Sequence, residues 1–257
     1  MVIDGMSNWP PKLDLFGVDV TPTCYADAVD VILRAARGGA GGVVDLMPVH
    51  GLITAARDAS FRRRVNGFEL VAPDGQPVRW ALNRFHKAGL SDRVYGPELM
   101  LRLCRAAAEQ GVGVYLYGGT PEVLDRLKNG LAERFPRLRI AGAESPPFRA
   151  LTADEDAAVI ARMNASGAGV VFLGVGCPKQ EVFAADHRDR LRAVQVCVGA
   201  AFDFHAGAKR MAPPWMQRRG LEWLFRLWQE PGRLWRRYLV TNTIFSLLVG
   251  RRLLLGR

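Results

Sequence analysis

Short apolar runs alternate with longer amphipathic stretches along most of the chain. The apolar runs predict strands at residues 13–20, 41–47, 68–73, 112–119, 138–144, 169–176 and 194–204. Between them, apolar residues recur with helical spacing at residues 23–37, 51–65, 98–110, 121–135 and 152–166. Strands that are apolar along their whole length are covered on both faces. The pattern therefore predicts an α/β fold, with a mostly parallel, Rossmann-like sheet of about six strands and helices on both faces.

Composition changes this picture only toward the C-terminal end. The chain has 257 residues and a net charge of +10, and residues 209–257 hold 11 of its 35 Lys and Arg but only 2 of its 25 Asp and Glu. Four of the six tryptophans lie in the same segment. We therefore predict an α/β domain at 1–208 and a helical C-terminal appendage at 209–257. A basic, aromatic appendage suits an anionic membrane surface, a phosphorylated ligand or nucleic acid.

No segment predicts export or a membrane-crossing helix. Residues 1–20 lack a basic stretch followed by an apolar run, so we expect no signal peptide. The charge-free run at 238–250 has 13 residues, whereas a membrane-crossing helix needs about 20. Its flanking arginines favour a segment lying among lipid headgroups, although a helix packed on the body stays open. The four cysteines lack metal-ligand spacing and are expected to be free thiols in a reducing cytoplasm.

Two predicted strands end in glycine turns that lead into helices. The first turn contains Gly118 and Gly119, and the second contains Gly174 and Gly176. The second turn is followed by Pro178, Lys179, Gln180 and Glu181. Glycines at the carboxyl ends of parallel strands let a diphosphate approach the backbone and a helix N-terminus. Neither turn is a P-loop or a complete GxGxxG, so a dinucleotide cofactor is disfavoured, and a purely structural strand end stays open.

Ordered motifs along nearly the whole chain, from about residue 13, resemble the WecG/TagA/CpsF glycosyltransferases (glycosyltransferase family 26). The C-terminal motifs are GVGCPKQE (174–181), FDFHAG (202–207), GLEWLFRL (220–227) and EPGRLWRRY (230–238). The upstream motifs are VAPDG (71–75), RVYGPEL (93–99) and LYGGTPE (116–122). The resemblance implies a GT-E-type, Rossmann-like fold.

The resemblance also implies an activity. Members invert the anomeric centre as they move a hexosamine or uronic-acid type sugar from a UDP-sugar to a polyprenyl-diphosphate-linked acceptor in cell-surface polysaccharide biosynthesis. No metal and no other cofactor is expected. Because such an acceptor stays in the bilayer, we expect a cytoplasmic protein held peripherally at the inner face of the plasma membrane. The oligomeric state stays open, a homo-oligomer included.

The resemblance places the family's proposed base at Asp74. This residue follows an apolar strand and precedes Gly75, so its carboxylate can project into a cleft at the sheet edge. An Asp-Gly pair is also a common turn, which is the alternative interpretation.

Arginines are the expected source of positive charge for the leaving diphosphate if no metal supplies it. The family's tail arginines lie in the region of Arg226, Arg233 and Arg236, which would share one helical face if a helix continues through Pro231. A solvated basic face is the alternative. Arg93 is a further candidate, with a surface salt bridge as its alternative.

Several other features of the sequence bear on its chemistry. Many relatives carry T-x-N where this chain has Asp45-Leu46-Met47, so the donor sugar is not determined. Asp154-Glu155-Asp156 reads D-x-D, but Thr152 with Glu155 has the spacing of a capping box, and a helix start is expected there instead of a metal site. The histidines have no ligand spacing: His50, His86, His187 and His205. Of these, His205 is the one that can line the cleft.

Two other classes of protein compete with a glycosyltransferase. A nucleotide-sugar epimerase or dehydrogenase would need GxGxxG together with Tyr-x-x-x-Lys or a catalytic cysteine, and the sequence has neither. A nucleic-acid-binding protein is favoured only by the basic appendage, because the sequence has no helix-turn-helix, zinc-finger or RNA-recognition motif. We therefore expect no nucleic-acid partner.

Overall fold

The computed structural model describes residues 9–255, and its centre is a parallel sheet of six strands. The strands are β3 (Val43–Met47), β4 (Leu70–Pro73), β5 (Val114–Gly118), β6 (Ile140–Glu144), β7 (Val170–Gly174) and β8 (Val194–Cys197). They lie in the order β4-β3-β8-β7-β5-β6, and each neighbouring pair is parallel. The predicted α/β fold with a Rossmann-like parallel sheet is confirmed.

Helices cover both faces of this sheet. Those within the body are α1 (Tyr25–Gly38), α2 (Val49–Arg57), α3 (Ala59–Asn66), α4 (Gln76–His86), α5 (Gly96–Gln110), α6 (Pro121–Arg134), α7 (Ala153–Ala165), α8 (Lys179–Asp186) and α9 (Ala201–His205). Successive residues of β7 point to opposite faces: Phe172 packs in one core with α1, α5 and α6, and Val171 and Leu173 pack in the other with α2, α3 and α7. This two-sided burial explains why the strands are apolar along their whole length.

The predicted strand at 13–20 is instead an antiparallel hairpin of β1 (Leu13–Leu15) and β2 (Val18–Val20). Its two turn residues, Phe16 and Gly17, have φ of 61° and 84°. Two residues with positive φ match the right-handed twist of a tight hairpin. The apolar run at 13–20 forms strand, as predicted, but a turn divides it. The sequence does not indicate this turn, because Phe16 takes a position that Gly or Asn commonly fills.

Three further elements differ from the sequence prediction. The helix predicted at 51–65 is two helices, because Asp58 ends α2 and caps α3 by accepting from the N–H groups of Ser60 and Phe61. The strand predicted at 194–204 stops at Cys197, and α9 follows it. Helix α4 was not predicted, since Asp74-Gly75 and Pro77 read as a turn; Pro77 instead lies in the first turn of the helix, where it needs no N–H partner.

The C-terminal segment is helical, as predicted, and consists of α10 (Pro214–Arg218), α11 (Glu222–Gln229) and α12 (Pro231–Leu255). Helix α12 packs along α2, and its buried residues are Leu234 and Thr241. Further along, Phe245 meets Phe16 edge-on at 6.0 Å, and the Arg252 guanidinium lies 4.7 Å from the centre of the Phe85 ring. The division at residue 208 stays a prediction.

By length and composition alone, α12 could cross a membrane. The helix is longer than the 13-residue charge-free run, because residues on either side of that run are also helical. One such helix is weak support for a membrane span, and its contacts with α2 and the hairpin are those of a helix lying along the body.

The close approach of β5 and β7 gives a test of the fold. A Cβ on Gly118, which has φ +135°, would lie 2.5 Å from the carbonyl carbon of Gly174. We expect Gly118→Ala to lower the free energy of unfolding by about 3 kcal/mol, from overpacking plus left-handed backbone strain. The matched control is Gly111→Ala, where φ is +70° but nothing lies within 4 Å; it should cost only about 1 kcal/mol. Equal losses in urea denaturation would contradict the packing argument.

Candidate active site

The two glycine turns lie side by side at the carboxyl edge of the sheet. Gly118 and Gly174 are paired in register between β5 and β7. A Cβ on Gly174 would come 2.5 Å from the ring of Phe202, so both positions lack room for a side chain. Beyond the first turn, Thr120 caps α6 by accepting from the N–H of Val123 at 3.3 Å. The floor of the site is therefore backbone, which is the surface that a diphosphate needs.

The residues after the second turn divide into an exposed and a buried pair. Pro178 and Lys179 are exposed, whereas Gln180 and Glu181 are buried. Gln180 supports the turn from below, because its Oε1 accepts from the N–H of Gly176 at 3.3 Å. These four residues belong to the predicted donor-binding set together with the four glycines, and Lys179 is the one whose charged side chain is free to reach a donor.

Asp74 lies at the same edge, after β4. Strand β4 is three positions from β7, so at a strand spacing of about 4.8 Å the two strand ends are about 14 Å apart. The half-buried Asp74 carboxylate accepts from the N–H of Gly96 at 3.3 Å. Burial raises its pKa from 3.8 to about 7; Glu222 adds to this rise, and Arg93 and Arg226 oppose it. Asp74 can therefore take up a proton near neutral pH.

Arg93 is only 7% exposed and joins Asp74 to the C-terminal helices. Its Nη2 donates to Glu222 Oε2 at 2.6 Å, and its Nη1 donates to the Asp74 carbonyl at 3.1 Å. The guanidinium also lies 4.2 Å from the centre of the Tyr95 ring. From the sequence, the alternative interpretation of Arg93 is a surface salt bridge. The structure has a salt bridge, but a buried one, which leaves little of this guanidinium for a diphosphate.

The three arginines predicted to bind the diphosphate, Arg226, Arg233 and Arg236, do not share a helical face. The chain breaks between α11 and α12 at Glu230, so Arg226 is on one helix and Arg233 and Arg236 are on the next. Arg233 pairs with Glu230, and Arg236 is exposed beside the Trp235 ring. Arg226 is half-buried, near the Phe204 ring at 6.0 Å. Of the three, Arg226 is therefore the half-buried one, and its charge lowers the pKa of Asp74.

Sequence reasoning missed three residues near Arg226. Arg237 and Tyr238 are half-buried on α12, and His50 lies in the first turn of α2. The pKa of His50 is lowered to about 4, mainly by burial and also by the nearby charges of Arg237 and Arg226. His50 Nε2 is buried and has no hydrogen-bond partner in the described part of the chain. Its position just after a strand end, the criterion applied to Asp74, could have identified it.

The acidic run at 154–156 has structural partners. The predicted capping box is confirmed, with Thr152 and Glu155 bonded reciprocally at the start of α7. Glu155 also binds Arg149 at 2.6 Å. Asp156 accepts from Arg190 at 2.8 Å and lies 2.7 Å from His187 Nε2. Two of the other histidines contact backbone, with Nε2 of His205 2.9 Å from the Pro97 carbonyl and that of His86 2.7 Å from the Asp14 carbonyl.

Comparison with known families agrees with this arrangement. A family model described as "Glycosyl transferase WecG/TagA/CpsF family" matches residues 13–257. The chain belongs to this family. Membership points to glycosyl transfer in cell-surface polysaccharide synthesis, with a nucleotide-sugar donor and a glycan acceptor. Several family motifs now have a structural role in this WecG/TagA/CpsF glycosyltransferase: Lys209 pairs with Asp203 at 2.9 Å and Glu230 at 3.3 Å, and Arg93 with Glu222 at 2.6 Å.

A cavity of about 240 Å³ adjoins the Arg93–Glu222 pair in this glycosyltransferase. It lies between the start of α5 and the C-terminal helices. Its polar lining includes Tyr25, Gln76, Asp92, Glu98 and Arg218. His205 also lines it, as the sequence analysis allowed. The cavity therefore adjoins Asp74 through Arg93, which lines the cavity and donates to the Asp74 carbonyl.

The charges around Asp74 predict how its pKa responds to mutation. Removing the Glu222 charge should lower the pKa of Asp74 from about 7, because Glu222 raises it and Arg93 would be left to lower it. The pKa can be followed by carbon NMR of labelled aspartate in the wild type and in Glu222→Gln. Glu230→Gln, which removes an equal charge from the same segment, is the control and should leave this midpoint in place. An unchanged Asp74 titration in Glu222→Gln would contradict the assigned electrostatics.

Proposed function

We propose that this protein is an inverting glycosyltransferase that moves a hexosamine or uronic-acid type sugar from a UDP-sugar to a polyprenyl-diphosphate-linked acceptor. The observation that carries this proposal is the placement of Asp74. A half-buried carboxylate whose pKa is raised to about 7 stands at the same sheet edge as the paired glycine turns. A general base works best when its pKa is near the operating pH.

In the proposed reaction, Asp74 accepts the proton of the acceptor hydroxyl. The hydroxyl oxygen then forms a bond to the anomeric carbon of the donor, on the face opposite UDP. The bond from that carbon to the diphosphate oxygen breaks, and UDP leaves with the electron pair. The result is inversion at the anomeric carbon, with the proton held on Asp74 until it passes to solvent.

The leaving diphosphate requires positive charge and N–H donors. The glycine turns at Gly118 and Gly174 offer backbone, and Lys179 offers an exposed ammonium. For the arginines, we propose Arg226 together with Arg237 in place of Arg233 and Arg236. The grounds are that Arg226 and Arg237 both act on the pKa values of His50 and Tyr238 at the site, while Arg233 pairs with Glu230 and Arg236 is exposed. These cations would do the work of a metal ion.

We propose that the C-terminal helices hold the enzyme at the inner face of the plasma membrane. Large apolar side chains on this segment are exposed: Trp215, Trp228, Trp235, Leu239, Leu247 and Leu254. Exposed arginines lie among them, including Arg236 and Arg251. Near an anionic leaflet each such basic residue contributes about 1 kcal/mol, before any apolar insertion is added. A peripheral position would bring the site to an acceptor that remains in the bilayer.

The test of the base is Asp74→Asn, assayed by transfer of labelled sugar from UDP-sugars to a synthetic lipid-diphosphate acceptor in EDTA. Loss of the base should lower the transfer rate by about 10²–10⁴-fold, while UDP binding by calorimetry is retained. Asn keeps an oxygen for the Gly96 N–H, so the loop should stay in place. Asp154→Asn, at an exposed helix start, is the control. Near wild-type turnover by Asp74→Asn would refute the base, and activity that requires added Mn²⁺ or Mg²⁺ would refute the metal-free mechanism.

Two adjacent arginines give a charge-matched test of the diphosphate site. Arg237→Gln should weaken UDP binding by about tenfold, the loss of one charged hydrogen bond. Arg236→Gln removes the same charge from an exposed position and should leave UDP binding near the wild-type value. In flotation, Arg236→Gln should lose more of its binding to phosphatidylglycerol vesicles than Arg237→Gln, because Arg236 is exposed and Arg237 is half-buried. Equal effects on UDP binding would return Arg236 to the site.

A further inference from the structure

Two carboxyl groups meet beneath the second glycine turn, away from the chemistry proposed for Asp74. Asp45 lies in the middle of β3 and is 1% exposed, and Glu181 lies in the first turn of α8 and is 3% exposed. Their side chains lie within hydrogen-bonding reach of each other.

The donors around this pair, which include the Leu46 N–H at Asp45 and the Cys177 thiol at Glu181, are too few for two carboxylates. Gln180 Nε2 donates to Glu181 Oε1 at 3.0 Å. Asp45 Oδ1 and Glu181 Oε2 are buried and have no partner in the described residues. Within the same part of the chain, neither carboxyl forms a salt bridge with Lys or Arg. Two adjacent buried carboxylates without a cation cannot both be ionised, because neither solvent nor a counter-charge offsets their repulsion.

The pair is connected to the donor edge by a chain of hydrogen bonds. Glu181 accepts from Gln180 Nε2 at 3.0 Å, and Gln180 Oε1 accepts from the Gly176 N–H at 3.3 Å. Gln180 is itself 4% exposed, and its Oε1 lies 3.4 Å from where a Cβ on Gly199 would be. The amide is thus fixed on one side by Glu181 and packed on the other. Whatever holds Glu181 in place also sets the position of the Gly176 backbone.

We infer that Asp45 and Glu181 share one proton and act as a positioning pair, which holds Gln180 and, through it, the Gly176 turn in the shape that receives the donor diphosphate. This inference rests on the proposed function only in naming the diphosphate. The shared proton replaces repulsion between two buried charges with a hydrogen bond. When that proton is lost at high pH, the carboxylates repel, Glu181 moves, and Gln180 no longer fixes the turn.

The neighbouring thiols and Asp74 do not offset the negative charge of the two carboxyls. Cys177 lies between Glu181 and the turn, and Cys197 is the neighbour of Asp45 on β8. Burial raises the pKa of both thiols, so both stay neutral. The Asp74 carboxylate adds to the repulsion on Asp45. The charge of Arg237 lowers the pKa of the Cys177 thiol. Burial, followed by this repulsion, raises the pKa of Asp45 well above its usual value.

The proton can be tested without any substrate. Infrared spectra of the full-length protein should contain the carbonyl stretch of a buried carboxylic acid at a pH where exposed carboxyls are ionised. The isosteric double variant Asp45→Asn with Glu181→Gln should lose this band, while Asp74→Asn should keep it above pH 7. Identical spectra for the wild type and the double variant in this region would overturn the shared proton, whatever reaction the enzyme catalyses.

The positioning role is tested by UDP binding across pH, measured by calorimetry. Wild-type affinity should fall at alkaline pH, and the double variant, which keeps a hydrogen bond but has no proton to lose, should hold its affinity over the same range. Glu181→Leu should weaken UDP binding by about tenfold at neutral pH, and Glu181→Gln should restore most of it. Equal alkaline loss in the wild type and the double variant would overturn the positioning role. If no variant binds UDP but the infrared band behaves as stated, the proposed donor fails and the proton pair stands.

Discussion

The buried ion pair of Arg93 with Glu222 is the contact on which the site depends. It lies beneath the C-terminal helices and joins them to the backbone of Asp74, through the bond from Arg93 Nη1 to the Asp74 carbonyl. Removing both charges from water is costly, and each would be left uncompensated if the other moved away. The pair therefore fixes where the C-terminal helices lie relative to Asp74. The Lys209 bridge between Asp203 and Glu230 adds a second, more exposed connection of the same kind.

This pair also couples the position of the C-terminal helices to the acidity of Asp74. Glu222 raises the pKa of Asp74 and Arg93 lowers it, so with both present their effects partly cancel and burial dominates. If the C-terminal helices moved away, Arg93 would act alone and Asp74 would become a weaker base. In the proposed mechanism, the pKa of Asp74 therefore lies near neutral pH only while the C-terminal helices cover it. The same event would carry away Arg226 and Arg237, the charges proposed for the leaving group.

Much of the fold could be predicted from the sequence, because its signals are local. The buried strands are apolar runs, and Gly118 and Gly174 mark the strand ends at which two backbones nearly touch. The hairpin at 13–20 was missed because Phe16 hides the turn, and α4 was missed because Asp74-Gly75 reads as an end instead of the residues before a helix. The first error comes from a turn whose Phe16 ring packs against Phe85 and Phe245. The second comes from a residue pair that often forms a turn but here precedes α4.

The site was predicted less completely, because its partners are distant in sequence. Asp74 followed from motif and strand position, but the roles of Arg93 and Glu222 depend on a contact across 129 positions. The choice between Arg236 and Arg237 depends on the helical phase of α12, which is set by the break at Glu230 and cannot be seen in spacing alone. The contact of Asp45 with Glu181 likewise joins a strand to a distant helix.

The paired glycines have a consequence for how this enzyme could change its substrate. Since neither Gly118 nor Gly174 has room for a Cβ, the floor of the site offers only peptide groups, which are the same in any sequence. In the proposed function, such a floor binds the diphosphate, which all UDP-sugars share, and does not distinguish one sugar from another. Discrimination must then come from the rim, where β3 ends and the C-terminal helices approach. New specificities can arise there by single substitutions, while the floor remains unaltered.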